Sequence, residues 1–151
     1  MKIQKITIDP DPYEPFRLAQ GYRVGDLLFI SGQAAIDDSG QMVGVGDFDA
    51  QAKQVFANLE RVLMAGGSSL KNVIKVTIFL RDMSNFDKIV ELRGRFFTSP
   101  YPADTIVEAR RKLDRCRDDL CAGGFRKRVE SLSSDGGFYC ACALYSHNHP
   151  T

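Results

Sequence analysis

Residues 24–33 read Val24-Gly25-Asp26-Leu27-Leu28-Phe29-Ile30-Ser31-Gly32-Gln33, and the fold turns on how they are read. With Arg23 before it, Val24-Gly25-Asp26 is a turn signal between two strands, close to a hairpin type. The apolar run Leu27 to Ile30 that follows lacks the alternation of a strand with one wet face. It predicts a strand covered on both sides. Upstream, Lys2 to Ile8 reads as a short strand, stopped by Asp9-Pro10-Asp11-Pro12, whose prolines cannot continue a ladder.

Downstream, Asp37-Asp38-Ser39-Gly40 makes the next turn. Ala52, Val55, Phe56, Leu59, Val62 and Leu63 then recur at helical spacing and form one apolar stripe. Asp47 or Asp49 can cap that helix, and Gly66-Gly67 ends it. Ile74, Val76, Ile78 and Leu80 alternate as in a strand. Ser84 or Asn85 can cap a second helix, which carries Phe86, Ile89, Val90, Phe96 and Phe97 on its apolar side. Ser99-Pro100-Tyr101-Pro102 breaks it, and Thr105 to Val107 is a further strand. The expected class is α+β: a single mixed β-sheet with two helices on one face. Helices on one side only, with strands apolar on both, predict self-association through the sheet.

The chain's 151 residues fit one domain able to bury a real core. A formal charge of +1 gives no global case for binding nucleic acid or membrane. No apolar run approaches the roughly 20 residues that span a bilayer. The N-terminus lacks the continuous apolar stretch of a secretory signal, so a cytoplasmic location is expected. Cys116, Cys121, Cys140 and Cys142 sit together late in a chain with a large apolar body, which favours reduced thiols over a disulfide scaffold.

The stretch from Val24 to Gln33 resembles the VGNLLFVSGQ-type signature of the RidA/YjgF/L-PSP family. Gln51 to Leu59 resembles that family's QTRQVFENL-type helix. Ala65 to Leu70, Val73 to Leu80 and Tyr101-Pro102-Ala103 fall in the same register, so the likeness spans about residues 13 to 109. The resemblance implies a homotrimer with strands in a central barrel and helices outside, and a small-molecule ligand cleft at each subunit interface. No cofactor and no metal are expected.

In the imine-deaminating branch of that family, an arginine after the Pro-Ala pair clamps the substrate carboxylate with its planar fork. That position is Asp104 here. The branch's Tyr-Ser-Gln becomes Leu18-Ala19-Gln20, its second-helix asparagine is Val90, and its cysteine is Ile106. Ser31-Gly32 is retained. The ligand-binding set implied is therefore Leu18, Ser31, Gly32, Val90, Asp104, Ile106 and Tyr139, with Asp104 as the catalytic candidate. Ser31 reads equally as a strand-end serine bonding nearby backbone. Asp104 reads either as a solvated or helix-facing charge at a strand start or as selecting a cationic or hydrogen-bond-donating ligand. Of the arginines in matched segments, Arg17, Arg23, Arg93 and Arg95, Arg93 lies nearest Val90 and reads as a surface helix charge.

After Glu108 the resemblance stops abruptly. The family's last strand, of the form VEIEAIA, has its counterpart in Phe138 to Leu144, which puts Tyr139 where the family has a water-positioning glutamate. An inserted basic helix with a replacement strand, a flexible extension and a reading-frame change remain open for residues 110–151. The basic run from Arg110 to Arg128 is interspersed with acids, as on a solvated helix face. Cys116, Cys121, Cys140, Cys142, His147 and His149 do not have the usual spacing of a structural zinc site. Three functions compete. One is a small-metabolite protein with an interface cleft and a deaminase-like hydrolase chemistry. The second is a non-catalytic binding or scaffold trimer. The third is the endoribonuclease of the L-PSP name, against which stands the lack of paired carboxylates or patterned histidines.

Overall fold

The computed structural model describes residues 2–109, 139–140 and 144–147. Strands β1 (Ile3–Ile6), β2 (Gly21–Val24) and β3 (Leu27–Ile30) form an antiparallel meander, with Ile6 opposite Gly21 and Gly21 opposite Ile30. Val24 pairs with Leu27, so the connection is a two-residue hairpin loop. Gly25 opens that loop at φ 61°, the left-handed angle that its first position requires in a twisted hairpin. The predicted turn is therefore present. β4 (Gln33–Ala34) follows after the short break at Ser31-Gly32.

The Asp37 turn is held by its own carboxylate, which accepts the Ser39 hydroxyl at 2.7 Å and the N–H groups of Ser39 and Gln41 at 2.9 Å. The Ser39 hydroxyl, and next the Gln41 N–H, hold the Asp37 carboxyl below its ordinary range. Because the folded value is the depressed one, this contribution is present above the ordinary carboxylate range. It is lost as pH falls through the folded value. An NMR titration should place the Asp37 midpoint below that of an unstructured aspartate, and Ser39→Ala should raise it.

Helix α1 (Phe48–Ala65) starts at Asp47, whose Oδ1 accepts from the N–H groups of Asp49 and Ala50 at 3.0 Å. Of the two candidate caps, Asp47 is the one used. Asp47→Ala should cost about 1 kcal/mol. That corresponds to a melting temperature lower by about 2–4 °C. The predicted stripe Ala52, Val55, Phe56, Leu59, Val62 and Leu63 is buried along its whole length. It packs on Leu28 and Ile30 of β3 and on Val76, Ile78 and Leu80 of β5 (Val73–Leu80).

Helix α2 (Phe86–Phe96) corrects two expectations. Asn85, one of the two candidates, stands at the N-cap position but makes no side-chain capping bond; Asp82 instead accepts the Ser84 N–H at 2.8 Å in the preceding turn. Its buried residues are Ile89 and Leu92, while Phe86 and Val90 stand 41% and 50% exposed. The stripe is rotated because Phe96, the last residue of the helix, stacks on Phe56 with ring centroids 4.0 Å apart, and Phe97 just beyond it meets the same ring edge-on.

β6 (Ala103–Glu108) runs parallel to β5, in register from Lys75–Ala103 to Leu80–Glu108, with α2 as the crossover. The opposite edge of β5 is covered by two short antiparallel strands, β7 (Tyr139–Cys140) and β8 (Leu144–His147). β7 also pairs with β4 and β8 with β3. The strand order β1-β2-β3-β8-β5-β7-β4, with β6 on β5, makes one mixed sheet. Strands β7 and β8 thus lie within and just beyond the stretch Phe138 to Leu144 expected as a replacement strand, with β8 reaching His147. The proposed helix over 110–128, together with Cys116, Cys121, Cys142 and His149, lies outside the described residues.

Both helices share one core cluster and hence one face of the sheet. Side chains alternate along strands, so the other face carries Tyr22, Phe29 and Val107, exposed at 44%, 39% and 39%. Leu28 and Ile30 are buried within the chain, but their neighbour Phe29 is not. Within one chain, the run Leu27 to Ile30 is covered on one side only.

Candidate functional site

The residues singled out in the sequence fall into two groups. The first surrounds the end of β3. The Ser31 hydroxyl donates to the Ala19 carbonyl at 2.6 Å, and its N–H donates to the Gln20 carbonyl at 2.9 Å. The strand-end role is therefore filled, although the hydroxyl oxygen keeps lone pairs for a ligand. Gly32 is exposed, and its carbonyl accepts the Tyr13 hydroxyl at 2.7 Å. The same Tyr13 oxygen accepts the Ala34 N–H at 3.0 Å.

Beneath this loop, buried Gln20 donates to the Asp11 carboxylate at 2.6 Å, and buried Gln33 donates to the Ser31 carbonyl at 2.9 Å. These amides have no route to water, so the network fixes the Ser31-Gly32 backbone. Leu18 follows Arg17, the one non-glycine residue with positive φ among those described (57°), and stands 54% exposed. Sequence reading passed over Tyr13 and Gln33; the tyrosine's only signal is its place between two prolines, beside the loop it later pins.

The second group joins α2 to β6. Asp104 and Ile106 point to the helix side of β6, where Ile106 packs against the core. Asp104 forms an ion pair with Arg93 of α2. Its side chain is 14% exposed, against 28% for Arg93. Both carboxylate oxygens and Arg93 Nε are buried, and beyond this ion pair they have no polar partner among the described residues. This corrects the reading of Arg93 as a solvated surface charge, and for Asp104 it favours the helix-facing charge over the solvated one. Val90 lies three residues before Arg93, on the adjoining turn of the helix.

The two groups are not brought together within one chain. β3 and β6 are separated by β8 and β5. Three strand spacings of about 4.8 Å put them roughly 14 Å apart. That span exceeds what a small metabolite bridges. Tyr139 lies on β7, paired with Phe79 and Ala34, between the two groups.

A separate depression involves Asp37, Asp38, Gln54, Asn58 and Arg61 and contains none of the expected residues. Its polar groups are internally engaged: Arg61 pairs with Asp38 and donates to the Pro10 carbonyl, and Asn58 donates to the carbonyls of Ala34 and Ile36. No cluster suited to a metal ion occurs among the described residues. No helix among them is long and apolar enough to cross a membrane.

Residues 9–115 match the family described as Endoribonuclease L-PSP. A RutC family protein of Pyrococcus horikoshii is 39% identical over 102 residues, covering 68% of this chain and 79% of its own. A 2-iminobutanoate/2-iminopropanoate deaminase of Dermatophagoides farinae is 31% identical over 106 residues, covering 70% and 81%. Among solved structures, RidA from the Antarctic bacterium Psychrobacter sp. PAMC 21119 superposes with a TM-score of 0.70. It is 25% identical and covers 96% of this chain and 99% of its own.

Proposed function

We propose, from the premise that this chain belongs to the endoribonuclease L-PSP family, that it binds a small metabolite in clefts between its own copies. The chemistry assigned is deaminase-like hydrolysis of an imine or enamine, with a substrate preference altered at Asp104. One observation carries the intersubunit reading. The Ser31-Gly32 loop and the α2–β6 wall are each built, yet roughly three strand spacings, about 14 Å, separate them in one chain. A second copy that docks on the exposed sheet face can set one group opposite the other.

The apolar side chains on that face, Tyr22, Phe29 and Val107, support such docking. A homotrimer is the assembly proposed. Sedimentation equilibrium should return the mass of three chains, and Phe29→Asp should shift it to one chain, because a carboxylate would have to be buried in the interface.

Soluble, cytoplasmic action fits a small-metabolite role. Nucleic acid is not the proposed ligand, since nothing in the two groups offers paired carboxylates or a basic track. The test is ammonia release from freshly generated 2-iminobutanoate and from a panel of other imines. Release above the protein-free control, with a ranking different from that of the Dermatophagoides farinae relative, supports hydrolysis with altered preference. Saturable binding without turnover would instead favour the non-catalytic reading, and ribonuclease activity insensitive to chelator would overturn both.

A further inference from the structure

We infer that the ligand-selecting group in the α2–β6 wall is Arg93, held in place by Asp104, and that this wall takes an anion rather than a cation. The inference rests on the reading of that wall as part of a ligand cleft. The substitution at position 104 alone suggests a wall that presents negative charge. The geometry says otherwise. Both Asp104 oxygens are buried, so the carboxylate has no surface left to offer a ligand. Its partner keeps twice the exposure, 28% against 14%.

A guanidinium carries five N–H donors in a rigid fork, and one carboxylate engages at most two of them. Arg93 Nε is itself buried. Donors on the terminal nitrogens therefore remain to meet a second carboxylate or another planar anion. Asp104 neutralises the arginine's charge and fixes its direction, so it is a positioning residue. Val90, half exposed on the same side of α2, supplies apolar contact for a short carbon chain beside the anion. Charge and holder are thus exchanged between strand and helix: the strand supplies the carboxylate and the helix supplies the fork.

The experiment uses three probes of matched shape: butanoate, butanamide and butylammonium. Each is titrated into the full chain and followed by NMR at the Arg93 Nε–Hε resonance and by the affinity obtained. Wild type is compared with Arg93→Lys and with Arg93→Met/Asp104→Asn, which removes both charges and strands neither. Butanoate should bind at least ten-fold tighter than butanamide, shift the Arg93 resonance, and exclude butylammonium. The double variant should lose ten-fold or more of the butanoate affinity, and Arg93→Lys should retain part of it.

Preference for butylammonium would overturn the inference, as would butanoate binding unchanged in the double variant. Turnover of imines with no probe reaching Arg93 would sink this inference while leaving the proposed function standing. Butanoate binding at Arg93 without imine turnover would do the reverse.

Discussion

A chain ending at Ala109 is expected to lose its cooperative fold, although the family-like segment is almost complete at that point. The reason lies in the sheet order. β3 and β5 do not pair with each other; β8 lies between them and pairs with both. Its register runs from Leu27–His147 to Ile30–Leu144 on one side and includes Lys75–Tyr145 on the other. Removing it leaves two interior strand edges with bare N–H and C=O groups, above a core that needs both strands under α1.

At about 1 kcal/mol per lost ladder bond, plus the uncovered apolar area, the loss approaches the whole of a typical 5–15 kcal/mol stability. The truncated chain should show no cooperative thermal transition. Tyr145→Pro keeps the full length and should act in the same direction, because a proline in a central strand removes a ladder bond. A truncated chain that melts cooperatively near the wild-type temperature would refute the strand order.

The second large effect concerns the ion pair. Arg93→Ala leaves Asp104 with both oxygens buried and no counter-charge. Breaking a fully buried pair from one side costs about 3–5 kcal/mol, and the partial exposure of this one reduces that to about 2–3 kcal/mol. Arg93→Met/Asp104→Asn should cost less than the single change, because it strands no charge and keeps the stem volume. Chemical denaturation of the wild type and both variants measures this directly. The ordering, double variant more stable than Arg93→Ala, matters more than either magnitude.

Much of this architecture is legible in the residues. The α1 stripe, the Gly25 hairpin and the Asp37 turn depend on local spacing and turn chemistry, and the structure carries them as read. The second helix was less legible. Phe86 and Val90 have helical spacing, but Phe56 draws Phe96 and Phe97, and that tertiary contact rotates the buried side to Ile89 and Leu92. Asp104 showed the same limit at the site. Its identity marks a departure from the family pattern, but whether it faces a ligand or a neighbour depends on α2 lying over β6. No local pattern encodes that packing. Arg93 was visible as a charge near Val90 and illegible as a partner for the same reason.

The most direct test of the account is a double-mutant cycle on Arg93 and Asp104, read as butanoate affinity. If Asp104 acts only by holding Arg93, Asp104→Asn should weaken binding in the wild-type background and change nothing once Arg93 is methionine. An equal effect of Asp104→Asn in both backgrounds would mean that the carboxylate meets the ligand itself, and would contradict the assignment.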